Sequence, residues 1–277
     1  AEQDPQVKAL VSSETEYVCI VGKSSKLHIT KALEASIDEA IGMAVDTINY
    51  LKSQGKKVFF DAEHFFDGFK EDKKVSYKIL DAVIKEGIGC FIFCDTNGGT
   101  LPSEVTAILA EVVERFPKQK FGVHFQNDNG CAVQNSMAAV DLGIDHVQGT
   151  MNGYGERTGN ADLCTLIPNL TLKMNHQTVS KDSLEKLTPI ANHIAELVNI
   201  SIDSRHPYVG SAAFTHKAGL HASGMAKDDS LYEHIDSSKV GNYTRTTVSE
   251  LAGRASVITK AKEFGLDFSN EEARALI

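Results

Sequence analysis

The chain has 277 residues, and its 28 lysines and arginines against 37 aspartates and glutamates leave a formal charge of −9, which argues against a nucleic-acid or anionic-membrane surface. With 42% hydrophobic and 23% charged residues it can bury a sizeable core, so general disorder is excluded and one large domain or two smaller ones are allowed. No stretch approaches the roughly 18 consecutive apolar residues of a membrane span. Ala1-Glu2-Gln3-Asp4-Pro5 lacks the basic and apolar regions of a signal peptide, so a cytoplasmic location is expected. Five cysteines, Cys19, Cys90, Cys94, Cys131 and Cys164, form no C-x-x-C pair and are expected as reduced thiols, largely in the core.

In chain order, apolar, β-branched or aromatic runs recur at Tyr17 to Gly22, Lys57 to Glu63, Gly89 to Thr96, Phe121 to Asp128 and His146 to Gly153. Each reads as a buried strand, and near-continuous hydrophobicity suits a parallel sheet covered on both sides. Between them lie segments with apolar residues at helical spacing, such as Ile37, Ile41, Val45, Ile48 and Leu51, or Val105, Ile108, Leu109, Val112 and Val113. Repeated βα units form either a doubly wound sheet or a (β/α)8 barrel. No G-x-G-x-x-G occurs, and polar residues gather at the C-terminal ends of the runs: Asp61, Glu63 and His64; Asp95, Thr96 and Asn97; His124, Gln126, Asn127 and Asp128; Asn152, Glu156, Arg157 and Asn160. That placement favours a barrel, whose active site lies at this face. Beyond about residue 175 the pattern changes: Ser180 caps a helix with Leu184, Leu187, Ile190, Ile194 and Leu197 as its apolar face. A Gly-, His- and Ala-rich segment, Pro207 to Met225, follows, and Thr246 to Ile277 alternates briefly before turning helical.

Four constellations carry candidate chemistry. His124 and Gln126, two apart on a strand, share a face, and an imidazole with an amide oxygen either binds a divalent cation or forms a hydrogen-bonded interior pair. Asp61 and Glu63 have the same spacing and serve either in proton handling, if burial raises a carboxyl pKa, or in a structural salt bridge. The loop Asn152 to Asn160 is rich in glycine and hydrogen-bonding groups, as a ligand loop or an ordinary tight turn would be. His216 and His221 match no simple zinc spacing; one is a candidate base, and each alone suits a surface or core role as well.

Together the segments DAEHFFDG (61–68), CDTNGGTLP (94–102), GVHFQNDNGCAV (122–133), QGTMNGYGERTGNADLCTLIPNL (148–170), FTHKAGLHASGM (214–225) and VSELAGRAS (248–256) resemble the acyltransferase family of citramalate, 2-isopropylmalate and homocitrate synthases. The resemblance runs over nearly the whole chain and is nearest to the citramalate-forming members. It implies a partial (β/α)8 barrel over residues 1–175, with about five of eight βα units, followed by small α+β linker subdomains over 176–277. It also implies condensation of acetyl-CoA with a 2-oxo acid, pyruvate in those members, on a divalent metal (Mg, Mn or Zn), in a cytoplasmic homodimer of isoleucine biosynthesis. The family's H-x-H-N-D motif falls on His124 and Gln126, so the first metal ligand is kept and the second replaced. The asparagine of its G-E-R-x-G-N loop, close to the metal, falls on Asn160, the strand-end glutamate that helps organise proton transfer on Glu63, and the threonine that binds the oxo acid's carboxylate on Thr96; Asp61, Thr96 and Asn160 are the substrate-binding residues expected. A histidine implicated in proton abstraction falls on His221, and a tyrosine of similar role on Tyr243 to within one position.

The family's opening D-x-T-x-R-D-G segment, with a catalytic arginine and a metal-binding aspartate, is not in this sequence. The expectation is therefore a fragment corresponding to the fourth through eighth strands, inactive alone. A 2-isopropylmalate or homocitrate synthase remains an alternative. So does a metal-deficient barrel piece that binds a 2-oxo acid or is purely structural.

Overall fold

The computed structural model describes residues 1–216, 224, 228–246 and 254–275. They form two compact units, Ala1–Asp162 and Leu163–Ile277. In the first, five parallel strands lie side by side in sequence order: β1 (Tyr17–Lys23), β2 (Lys57–Glu63), β3 (Cys90–Asp95), β4 (Phe121–Phe125) and β5 (His146–Gln148). Parallel neighbours need long crossovers, and helices supply them. After α1 (Pro5–Ser12) and β1 come α2 (Lys26–Lys31) and α3 (Ile37–Ser53), then α4 (Phe65–Glu71) and α5 (Lys73–Lys85), then α6 (Pro102–Arg115) and α7 (Ala132–Asp141). The helix starts follow from short polar residues. Asp4 accepts from the N–H groups of Gln6 and Val7 at 2.7 and 3.2 Å. Ser36 and Glu39 close a reciprocal capping box on α3 at 2.8 and 3.2 Å, a device worth about 1 kcal/mol.

Alternation along each strand sends one set of side chains toward the helices and the other toward the concave face. On the helix side Val58, Phe60, Ala62, Phe91, Phe93, Phe121, Val123 and Phe125 are all buried, against Phe65, Phe66, Leu80, Leu109 and Val112. The aromatic rings interlock: Phe93 lies 4.7 Å from Phe65, 5.2 Å from Phe91 and 5.0 Å from Phe121, centroid to centroid. The opposite face carries only a small apolar cluster, Cys90, Ile92 and Cys94 with Phe59.

The five-strand parallel count and all five strand starts match the sequence expectation to within a residue, but three details do not. β1 was expected to be covered on both sides, yet Tyr17 is 46% and Val21 66% exposed, and only Val18 is buried. β1 pairs on one side only, with β2, so its concave-face residues meet solvent instead of a neighbour. β4 stops at Phe125 and β5 at Gln148, earlier than their apolar runs, because Gln126 and Thr150 leave the ladder to bridge Asn160 and Asp162. Asn152 takes a left-handed conformation at φ 60° inside the turn Met151–Gly153.

The second unit contains α8 (Leu163–Pro168), which runs into a single π turn at Asn169–Lys173. Its other elements are α9 (Lys181–Leu184), α10 (Leu187–Val198), a two-stranded parallel ladder of β6 (Thr215–His216) and β7 (Arg245–Thr246), α11 (Arg254–Glu263) and α12 (Asn270–Ala275). The single helix expected after Ser180 is two. Ser180 caps only the short α9, Lys186 then leaves helical geometry before α10, and Ile190 and Leu197 end up exposed instead of completing an apolar face. All five cysteines are free thiols. No helix among the described residues is long and apolar enough to cross a membrane.

Truncating Phe93 removes the ring that touches three others. Phe93→Ala is expected to cost about 3–5 kcal/mol, read as a lowered urea midpoint at unchanged slope.

Candidate active site

The strands' C-terminal ends bring one set of concave-face residues into register: Lys23 opposite Glu63, Cys94 opposite His124, and His124 opposite Gln148. Hydrogen bonds then run across this face. The Asp61 carboxylate can only accept, so the neighbouring Gln148 must turn its amide Nε2 toward it, at 3.1 Å. That leaves the Gln148 carbonyl oxygen against His124 Nδ1 at 2.8 Å, which places the imidazole proton on Nδ1. His124 Nε2 therefore carries a lone pair, and it accepts from the Asn160 amide Nδ2 at 2.9 Å. Asp61 is fastened from the other side by the Cys19 thiol at 3.1 Å.

Asn160 is buried and held by its loop. Its backbone N–H donates to the Gly153 carbonyl at 3.1 Å. A Cβ on Gly155 would stand 1.9 Å from the Asn160 side-chain oxygen, and one on Gly159, at φ +90°, 1.8 Å from the Gly153 carbonyl. These two glycines let backbone pass where no side chain fits. Arg157 closes the loop with a bidentate pair to Asp128 at 2.7 and 2.9 Å and a third bond to the Thr96 carbonyl at 2.7 Å. Its guanidinium holds the Asp128 carboxyl below the usual carboxylate range. Asn127 accepts from the Ala132 N–H at 3.2 Å, so Asn127 and Asp128 build the scaffold.

Glu63 pairs with Lys23 and lies 3.9 Å from His64 Nε2. Neither Glu63 nor Asp61 is deeply buried; Glu63 is ion-paired, whereas Asp61 is held by the Cys19 thiol and the Gln148 amide. Thr96 Oγ1 accepts from the His64 backbone N–H at 2.8 Å. Asp95 is buried and accepts from the Thr100 N–H and O–H at 3.0 and 2.9 Å, and burial pushes its carboxyl up despite those bonds. Burial likewise lifts the Cys90 thiol to about 12 and the Cys94 thiol well above its ordinary value, so neither serves as a thiolate nucleophile.

Of the residues singled out in the sequence, Asp61, His124 and Asn160 join one network, and Glu63 and Thr96 flank His64. Gln126 pairs through its backbone with Asn160, and its side-chain oxygen is buried without a hydrogen-bond partner. Tyr243 belongs to the second unit, 61% exposed, with the Arg245 guanidinium 3.5 Å over its ring. His221 lies outside the described residues. Gln148, which sets the His124 tautomer, and Lys23 were missed. Gln148 stands two residues after His146, the same alternation that flags His124 and Gln126; Lys23 sits one residue past an apolar run.

The donors available to a cation are the His124 Nε2 lone pair, the orphaned Gln126 oxygen and the Asn160 amide, all neutral. Among the described residues no three His, Cys, Asp or Glu side chains converge for a metal. These are nitrogen and oxygen donors of the kind that suits Mg, Mn or Zn, and a cation at His124 Nε2 would displace the Asn160 amide N–H that the lone pair now accepts.

A parallel sheet in sequence order, helices at its back and polar side chains at its C-terminal rim define an α/β barrel-type unit. Residues 2–194 match the family model described as HMGL-like, and residues 208–277 the one described as homocitrate synthase post-HMGL domain-like. The chain belongs to the HMGL-like family. It is 47% identical over 96% of its length to an (R)-citramalate synthase of Aquifex aeolicus, and 44% identical over 98% to one of Streptomyces coelicolor. A probable 2-isopropylmalate synthase of Methanopyrus kandleri is 30% identical over 98%. The chain spans about half the length of these curated relatives: 50%, 51% and 53% of each. Among solved structures, the HMG-CoA lyase of Bacillus subtilis superposes with a TM-score of 0.62 at 22% identity, over 72% of this chain and 69% of that one, which supports the fold.

The Gly155 contact can be checked directly. Gly155→Ala is expected to destabilise by about 1–3 kcal/mol and to shift the ring nitrogen signals of His124 as Asn160 is displaced. Gly99→Ala, where nothing lies within 4 Å of an added Cβ, changes neither.

Proposed function

We propose that this chain forms the acceptor-binding side of an acyltransferase that condenses acetyl-CoA with pyruvate to (R)-citramalate and CoA. The observation that carries the reading is 41–47% identity, over nearly the whole chain, to five (R)-citramalate synthases, against 30% to the 2-isopropylmalate synthase of Oceanobacillus iheyensis. In this reading residues 1–175 are barrel and 176–277 are post-barrel subdomains, and the working enzyme is a cytoplasmic homodimer.

The reaction makes two demands: a proton must leave the weakly acidic methyl of the thioester, and the alkoxide formed on the former ketone must be stabilised. His124, Gln126 and Asn160 would hold the divalent cation, together with the aspartate that the family resemblance implies. When bound, the cation supplies Lewis-acid polarisation of the oxo group. The chain's own residues do the rest. Gln148 and Asp61 keep the His124 proton on Nδ1, so Nε2 stays a donor atom. The Thr96 hydroxyl, one lone pair already taken by the His64 N–H, turns its O–H to the acceptor's carboxylate. Glu63 receives and relays the methyl proton, with His221 and Tyr243 sharing that role as the family resemblance implies, a contribution of about 10² to 10⁴ in rate. Asp61 acts on substrate only through Gln148 and His124.

CoA release with pyruvate and acetyl-CoA plus magnesium or manganese tests the reading. Activity is expected from a polypeptide carrying this sequence at its relatives' full length, and none from residues 1–277 alone, whose described donors to the cation are all neutral. Preference for 2-oxoisovalerate over pyruvate would move the assignment to 2-isopropylmalate synthesis. Gln126→His exchanges an amide oxygen for an imidazole nitrogen, a better zinc ligand. Calorimetry is expected to show tighter zinc binding, and an unchanged affinity would remove position 126 from the ligand set.

A further inference from the structure

His64 is used by nothing above except through its backbone, yet it is the most constrained side chain at the rim. It sits at the junction of β2 and α4 in a left-handed conformation, φ 60° and ψ 33°, which costs a residue with a Cβ about 1 kcal/mol or more. It is 7% exposed. Its ring stacks on His28, with centroids 3.5 Å apart and planes 12° apart, and His28 is fixed by Ser25 Oγ at 3.1 Å, which in turn bonds Glu71 at 3.1 Å. His64 Nδ1 is buried without a hydrogen-bond partner, and Nε2 faces Glu63 at 3.9 Å. The left-handed turn accounts for all of this. It aims the backbone N–H at Thr96 Oγ1 while the side chain folds back over Glu63, so one residue touches both the proton-handling carboxylate and the carboxylate-reading hydroxyl.

We propose that His64 is a positioning residue for the proposed condensation, its backbone fixing Thr96 as a donor and its neutral ring, held against His28, keeping Glu63 free to take up a proton. This rests on the function proposed above. Glu63 already has one cation, Lys23, in contact. A second positive charge on His64 would lower the basicity of the carboxylate and make it a poorer proton acceptor. The groups facing the ring are His28, Glu63, Lys23 and Asp67; burial first, then the His28 ring, keep its pKa below the ordinary histidine value, and Glu63 and Asp67 pull the other way. Two rings stacked this closely cannot both carry charge cheaply in a site largely shielded from water.

The test uses glycine, which takes the left-handed conformation without strain: His64→Gly keeps the N–H on Thr96 and deletes only the ring. In a polypeptide of the relatives' full length, His64→Gly is expected to lower kcat about tenfold or more with little change in the KM for pyruvate, and to move the acid limb of the kcat profile. His64→Gln, which returns an N–H near the position of Nε2, recovers part of the rate. His28→Phe, a stacked ring without charge, moves the acid limb to higher pH because His64 then protonates more readily. An unchanged kcat and pH profile in His64→Gly overturns the proposal, as does an equal loss in both His64 variants with a lowered Tm. If the wild-type polypeptide releases no CoA, the reaction itself is wrong. The positioning claim is then judged by the titration of the Glu63 carboxyl carbon signal, which His64→Gly must shift.

Discussion

The rim depends on one fact of hydrogen-bond chemistry: an ionised carboxylate has no proton to give. Asp61 on β2 therefore dictates the orientation of Gln148 on β5, Gln148 dictates which nitrogen of His124 is protonated, and His124 presents a lone pair where Asn160 stands. Each bond is of ordinary strength, worth about 1 kcal/mol net. Their joint effect is larger than that figure suggests, because reversing any one leaves two donors or two acceptors facing each other in a half-buried site. The parallel register makes the chain of bonds possible by setting His124 beside both Cys94 and Gln148. Gln148 on β5 then bonds Asp61 on β2, with β3 and β4 between them in the strand order.

The loops that complete the rim are held by a second, independent device. Arg157 joins three chain segments, gripping Asp128 after β4 and the Thr96 carbonyl after β3 from its own place after β5. An exposed ion pair alone contributes little to stability, but a planar guanidinium with a bidentate partner and a third fixed acceptor restricts geometry. The glycines answer the same need for closeness. Gly98, at φ +65°, leaves room for Asp128, whose side chain would collide with an added Cβ at 2.3 Å. Packing of phenylalanines behind the sheet and glycine-lined contacts in front are thus two halves of one arrangement, a rigid back supporting a tightly threaded front.

Much of this was legible in the chain. Apolar runs bounded by polar ends located all five strands, since a strand buried on its helix side must be hydrophobic wherever it lies. Exposure of the concave face of β1 was not legible in the apolar run itself, where Val21 and Tyr17 read as core, although an open five-stranded sheet is expected to leave apolar faces uncovered. The break between α9 and α10 was hidden for a related reason. The apolar spacing from Leu184 to Leu197 continues through Lys186, and only backbone geometry shows that it interrupts the helix. His124 and Asn160 could be picked out by type and spacing, whereas Gln148 could not, because its importance comes from Asp61, 87 residues away in sequence. His64 was visible among the strand-end polar residues. Its left-handed backbone, the feature that gives it two neighbours of consequence, was not.

The charges at the rim explain why neutral donors should gather where they do. Lys23 offsets Glu63 and Arg157 offsets Asp128, so within the hydrogen-bonded centre the charge left over is that of Asp61, held by a thiol and an amide. An anionic 2-oxo acid approaching such a centre meets repulsion, and at the separations inside a shielded cleft repulsion between unit charges amounts to several kcal/mol. A divalent cation reverses that sign. Neutral ligands leave more of its charge available to the acceptor than carboxylates would, and the one anionic ligand in the proposed set offsets only part of it. On the condensation reading, His124, Gln126 and Asn160 are therefore suited to a cation that must attract an anion as well as polarise a ketone.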